Sequence, residues 1–156
     1  YNTAINRGYE GIMIKDLDAK YRSGRSNNIL KHKPARIELD LVISSAKYGE
    51  GRRAGLFGSF GISAKTKNGY QSVGNVGSGL SEGDLLYLTT ELRKIIDKYS
   101  SDVYYVLPRI VLEVRCDLIS QDSEGNYGLR FPRVVRIRND KHPYNCTTMK
   151  DIKNMI

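Results

Sequence analysis

The 156-residue sequence is short of the residues that would build a metalloprotein, a disulfide scaffold or a membrane span. Its two cysteines, Cys116 and Cys146, have no metal-type spacing and are too few for a disulfide framework. Cys116 lies in the strand-like run VLEVRCDLI, where a buried free thiol in a reducing compartment is expected. The two histidines, His32 and His142, have no neighbouring set of ligand residues, so neither reads as a metal ligand. No stretch approaches the roughly 18 apolar residues of a transmembrane helix, and no secretory leader opens the sequence. A cytoplasmic protein, or a nuclear one in a eukaryote, is the expectation. An initiating methionine is missing too, and motif-like residues begin within ten positions of Tyr1, as in a piece of a longer protein.

Acidic residues are also in short supply. Seventeen Asp and Glu face 25 Lys and Arg, a formal net charge of +8. That balance favours a polyanionic partner, nucleic acid ahead of a membrane surface. The charge is unevenly spread: residues 1–36 carry eight basic groups against three acidic ones, a net +5, leaving only +3 for the other 120 residues. With Pro34 beside it, this shift marks a boundary between residues 1–36 and 37–156.

Beyond the boundary the pattern is mainly that of strands. IELDLVISSAKYG alternates Ile37, Leu39, Leu41 and Ile43 with Glu38, Asp40, Val42 and Ser44, which predicts a strand with one buried face. A glycine-rich turn (Gly49 to Gly55) leads to a second strand, LFGSFGISA. Asn68-Gly69 marks a hairpin into a third, QSVGNVG. Leu85, Leu88, Leu92, Ile95, Ile96 and Tyr99 then fall at helical spacing, with Ser81 and Asp84 placed as a capping box. Two long strand-like runs follow, VYYVLPRIVLEVRCDLIS and LRFPRVVRIRN, and a short terminal helix begins near Thr148. The order β-β-β-α-β-β predicts an OB-fold, a Greek-key barrel with one helix between its third and fourth strands. A five-stranded sheet with one flanking helix is the alternative.

Three short stretches carry charge in patterns suited to phosphate chemistry. In YEGIMIK, Glu10 and Lys15 end an apolar strand interrupted by Gly11. In LKHKP, Lys31 and Lys33 alternate, so two ammonium groups share one side of a strand, suited to a phosphate. In LRFPRVVRIRNDK, Arg130, Arg133, Arg136, Arg138 and Lys141 crowd into thirteen residues with Asp140 the lone acid. Arg130, Arg136 and Arg138 share strand parity there, and guanidinium groups suit triphosphate oxygens. In the turn GEGRRAG, Arg52 and Arg53 can meet DNA phosphates.

These stretches resemble nucleotidyltransferase motifs IV, V and VI of ATP-dependent DNA ligases, archaeal-type ones above all. EGIMIK resembles motif IV, LKHKP motif V and LRFPRVVRIRNDK motif VI, in the family's order. The resemblance implies the tail of an α+β adenylation domain in residues 1–36 and a complete OB domain in 37–156. It implies ATP, with AMP carried as an intermediate, Mg²⁺, and nicked duplex DNA as substrate in replication, repair or recombination. A monomer is expected, and a sliding clamp is a further candidate partner.

The resemblance also assigns roles. Glu10 becomes a pocket carboxylate for the nucleotide or the metal, and Lys15 closes the strand on the nucleotide side. Lys31 and Lys33 hold the α-phosphate, and Arg25 makes a phosphate or DNA contact. Arg130, Arg138 and Lys141 orient the pyrophosphate of ATP, with Asp140 fixing their geometry, while Arg52, Arg53 and Arg133 contact DNA. The family's KxDG nucleophile motif is absent, so the chain resembles the C-terminal third of the enzyme and is expected to be inactive alone. Two other readings remain open: an OB-fold binding module without chemistry, and part of an RNA ligase or capping enzyme.

Overall fold

A computed structural model describes all 156 residues, and the chain divides into two compact units, Tyr1–Ala35 and Arg36–Ile156. In the first unit, helix α1 (Asn2–Asn6) precedes strands β1 (Ile12–Lys15) and β2 (Ile29–His32). The strands pair antiparallel, Met13 opposite Lys31 and Lys15 opposite Ile29. Gly11 holds φ at +142°, and a Cβ there would collide with the His32 carbonyl. The glycine therefore serves the close approach of the two chain segments themselves.

The second unit is a curled antiparallel sheet built on one long strand, β3 (Ile37–Tyr48). Its first half pairs with β8 (Val111–Cys116) and its second half with β4 (Phe57–Thr66) and β7 (Val103–Val106). The path continues from β4 to β5 (Gly69–Val76), and on the other side from β8 to β11 (Arg133–Ile137). β6 (Ile96–Ser100) pairs with β7, and β9 (Leu118–Gln121) with β10 (Tyr127–Arg130). Helix α2 (Glu82–Arg93) lies between β5 and β6, as the OB pattern requires.

Alternation puts Leu39, Leu41 and Ile43 of β3 into the core beside Phe57, Phe60 and Ile62 of β4. Leu85, Leu88 and Leu92 of α2 close the same core, joined by Leu112, Val114, Val134 and Ile152. Val42, on the opposite parity of β3, is buried as well, in a small second cluster with Val111 and Cys146. Both α2 and the terminal helix α3 (Met149–Lys153) start with full capping boxes, Ser81 with Asp84 and Thr148 with Asp151.

Two features differ from the sequence pattern. The helix ends at Arg93, and Ile96 to Ser100 form a strand instead. Ser101 and Asp102, both at positive φ, turn the chain back so that Tyr99 packs its ring on Tyr104 at 4.6 Å. Strand pairing there outweighs the helical spacing of Ile95, Ile96 and Tyr99. The run from Leu129 to Asn139 is likewise two elements. Phe131 at φ +52° separates β10 from β11, so Arg130 shares no strand parity with Arg136 and Arg138.

Candidate functional site

The basic residues fall into three groups. In the first unit, Lys33 lies one residue past β2 with its Nζ 3.6 Å from Glu10 Oε2, so the two stretches meet through an ammonium and a carboxylate. Lys15, Arg25 and Lys31 are exposed, Lys31 within β2 and Arg25 in the connection between the strands. No three His, Cys, Asp or Glu side chains gather anywhere in the chain where they could hold a metal ion. Glu10 offers one carboxylate beside Lys33, and a Mg²⁺ ion held mainly by phosphate oxygens and water needs only one or two from a protein.

The second group is the turn after β3. Gly51–Arg53 form one 3-10 turn, and Arg52 and Arg53 are both exposed. They differ in engagement. Arg53 Nη1 donates to the Gly77 carbonyl at 2.9 Å, which ties the turn to the link after β5. Arg93, at the end of α2, donates to the Tyr48 hydroxyl at 3.0 Å and to the Gly55 carbonyl at 3.3 Å, bracing the same turn. Further along, Ser44, Ser45 and Lys47 of β3, Ser59 of β4, Ser72 and Asn75 of β5 and Tyr105 of β7 help to line a groove of about 380 Å³.

The third group is at the end of β11, where the charges are interlocked. Asp40 of β3 faces Glu113 of β8, and Glu113 faces Arg136 of β11, so three charged side chains form a row across three strands. Two adjacent carboxylates would repel. Arg138 relieves this: its Nη1 donates to Asp40 Oδ1 at 2.9 Å and approaches Glu113 Oε2 at 3.5 Å. Its other edge grips Asp140, Nε to Oδ1 and Nη2 to Oδ2, each at 2.9 Å. Lys141 Nζ donates to Asp40 Oδ2 at 2.7 Å, and Arg136 Nε to Glu113 Oε2 at 2.8 Å.

Titration follows from this geometry. The bonds from Arg138 hold the Asp140 carboxyl down at about 2, and Asp140, then Asp40 and Glu113, hold Arg138 more firmly charged. Arg133, at the start of β11, stands opposite Arg115 and is exposed. Arg130, on β10, has its guanidinium 5.4 Å from the Phe131 ring. The start of β11 is set by a close backbone contact. Gly79 holds φ at +98°, and a Cβ there would strike the Val134 carbonyl, while Val134 N donates to the Ser78 carbonyl at 2.9 Å.

Arg136, Arg138, Asp140 and Lys141 are brought together; Arg130 and Arg133 stand apart from that cluster on their own strand positions. Asp40 and Glu113 complete it, and the sequence pattern had placed Asp40 only on the outward face of a strand. Acidic residues at outward positions of two strands, complementing a basic third, were the available signal. It becomes readable only with the strand register.

Comparison with known proteins agrees with this architecture. A family model described as "ATP dependent DNA ligase C terminal region" matches residues 53–141. A DNA ligase of Methanococcus maripaludis (strain C6) is 42% identical over 99% of the chain, and "DNA ligase 2" of Haloquadratum walsbyi is 39% identical over 97%. The chain spans only 28% and 26% of the length of these relatives. Among solved structures, the ligase domain of M. tuberculosis LigD superposes with a TM-score of 0.64 at 28% identity, over 94% of this chain and 50% of that one. With an OB-type sheet, the motif VI cluster at the end of β11 and a family match over more than half of its residues, the chain belongs to the ATP-dependent DNA ligase C-terminal-region family.

Proposed function

We propose that the chain is the C-terminal part of a ligase that seals nicks in duplex DNA with ATP, through enzyme-AMP and DNA-adenylate intermediates. Residues 1–36 are read as the end of the adenylation domain and 37–156 as the OB domain. The observation that carries this reading is the interlocked pair Arg138 and Lys141, two cations presented from one turn at the end of β11. A guanidinium and an ammonium held at fixed spacing suit the adjacent phosphates of a polyphosphate. Arg138 offers a two-donor edge to phosphate oxygens, and Lys141 adds a point charge.

In the first unit, Lys31 and Lys33 are read as holding the α-phosphate, with Lys15 and Arg25 adding positive charge nearby. Glu10, already beside Lys33, is the residue that would hold Mg²⁺ as a single carboxylate. The metal would supply neutralisation of phosphate charge. None of these residues supplies a nucleophile, since the KxDG lysine is not in this chain. DNA contact is assigned to Arg52 and Arg133, to Arg53 through its unengaged donors, and to the serine-lined groove on β3, β4, β5 and β7, whose small polar side chains allow close approach of a backbone.

Pyrophosphate is present only in the first of the three steps, which makes the role of Arg138 and Lys141 separable. In a full-length ligase carrying this chain, Arg138→Ala or Lys141→Ala lowers enzyme-AMP formation by about 10²–10³-fold, the usual effect of removing an oriented charge-stabilising donor. Sealing of a pre-adenylated nick falls far less. Equal losses in the two assays would show that these residues act in DNA binding or in stability.

A further inference from the structure

We propose that Asp40 is a positioning residue for the adenylation step, a fixed carboxylate that aims Arg138 and Lys141 outward at the polyphosphate. The inference rests on the reading of those two residues given above.

Residues 138–141 belong to no strand or helix. Long side chains on such a turn would sample many rotamers, and ordering them costs up to about 2 kcal/mol each. Asp40, by contrast, sits in the central strand of the sheet with 17% of its side chain exposed. Its backbone is pinned on both sides by one residue. Asp40 N donates to Thr147 Oγ1 at 2.9 Å, and Thr147 N donates to the Asp40 carbonyl at 2.8 Å. From this anchor the two carboxylate oxygens divide the work, Oδ1 taking Arg138 and Oδ2 taking Lys141. One rigid group therefore sets the spacing of both cations.

The guanidinium has two edges, and the carboxylates on them differ in exposure. The Nη1 side faces Asp40 and Glu113, whose side chains are 17% and 16% exposed. The Nε/Nη2 side faces Asp140, which is 61% exposed. The outer carboxylate occupies the two-donor position that phosphate oxygens use. An arriving phosphate exchanges with Asp140, while Asp40 and Glu113 keep the inner edge and so the direction of the outer one. Arg136, Arg138 and Lys141 balance Asp40, Glu113 and Asp140 in formal charge. Asp40→Asn gives the cluster a net +1 without changing its volume.

The test is single-turnover formation of enzyme-AMP from ATP in a full-length ligase carrying this chain, comparing Asp40→Asn, Asp40→Glu and Arg138→Ala. The expected result for Asp40→Asn is a rate at saturating ATP lowered by about 10–100-fold, the usual effect of small misplacement. The amount of AMP finally bound per enzyme is unchanged, and the ATP concentration for half-maximal rate is no higher, because the cluster is more positive. Asp40→Glu restores part of the rate. A smaller final amount of AMP with an unchanged rate constant would make Asp40 a folding contact only. An unchanged rate, or a faster one at lower ATP, would make it idle or a competitor of phosphate; any of these overturns the proposal. Full activity of Arg138→Ala would overturn the underlying reading of motif VI, and the proposal with it.

Discussion

Thr89 is a single hydroxyl on which two parts of the second unit depend. It lies in α2 with 2% of its surface exposed, donates to the Leu85 carbonyl at 2.7 Å and accepts from Phe57 N at 2.8 Å. Phe57 opens β4 and is fully buried, so its N–H has no water to turn to. Thr89→Val keeps the shape and removes the acceptor. An unsatisfied buried N–H costs about 1–3 kcal/mol. Thr89→Ser keeps the acceptor and removes one methyl group, about 0.8 kcal/mol. Valine should therefore be roughly twice as damaging as serine, although it is the more apolar of the two. In urea denaturation of the purified chain, Thr89→Val lowers the midpoint with an unchanged slope. A loss of about 2 kcal/mol corresponds to a thermal midpoint lower by roughly 6–12 °C for a unit of this size. A valine variant within about 0.5 kcal/mol of the parent (a surface-like effect), or a serine variant as damaged as valine, would refute the hydrogen-bond argument.

Duplex DNA binding is expected to weaken with salt and to ignore sequence; Arg52→Ala lowers the slope of log K against log salt by about one released counterion. Arg53→Ala also lowers stability, because it cuts the tie to the Gly77 carbonyl, and an unchanged slope for Arg52→Ala would remove the turn from the interface. The Asp140 carboxyl, depressed to about 2 by Arg138, contributes stability that is full above the ordinary carboxyl range near 4 and is lost as pH falls through about 2. Thermal midpoints of the parent and of Asp140→Asn should therefore converge between about pH 4 and about pH 2. A gap that stays constant with pH would contradict the pairing.

The strands that alternate cleanly were legible in the sequence, and so was the start of α2. Leu39, Leu41 and Ile43 needed only period-two spacing, and Ser81 with Asp84 announced the helix start by a local bond. The end of that helix was not legible, because what stops it is the pairing of β6 with β7, a contact between segments. The same holds at motif VI. Arg138 and Lys141 stood out as basic residues in a recognisable order, but their partners Asp40 and Glu113 lie 98 and 25 residues from Arg138 in the chain. Parity placed Arg130 with Arg136 because it assumed one continuous strand, and the positive φ of Phe131 breaks that assumption. Local chemistry reads from local sequence; a cluster assembled across three strands does not.

The division of β3 between two sets of neighbours bears on how the chain is made. The half from Val42 to Tyr48 finds β4 almost at once, but the half from Ile37 to Val42 must wait for Val111–Cys116. At synthesis rates of about 5–20 residues per second, that is a delay of roughly 4–16 s. During it, Leu39 and Leu41 lie on an unpaired edge beside an already paired one. Such an edge is a template for pairing with another chain. A nascent chain stalled or cut before β8 should therefore be captured by chaperones or aggregate, while one that reaches Cys116 closes its sheet along β3.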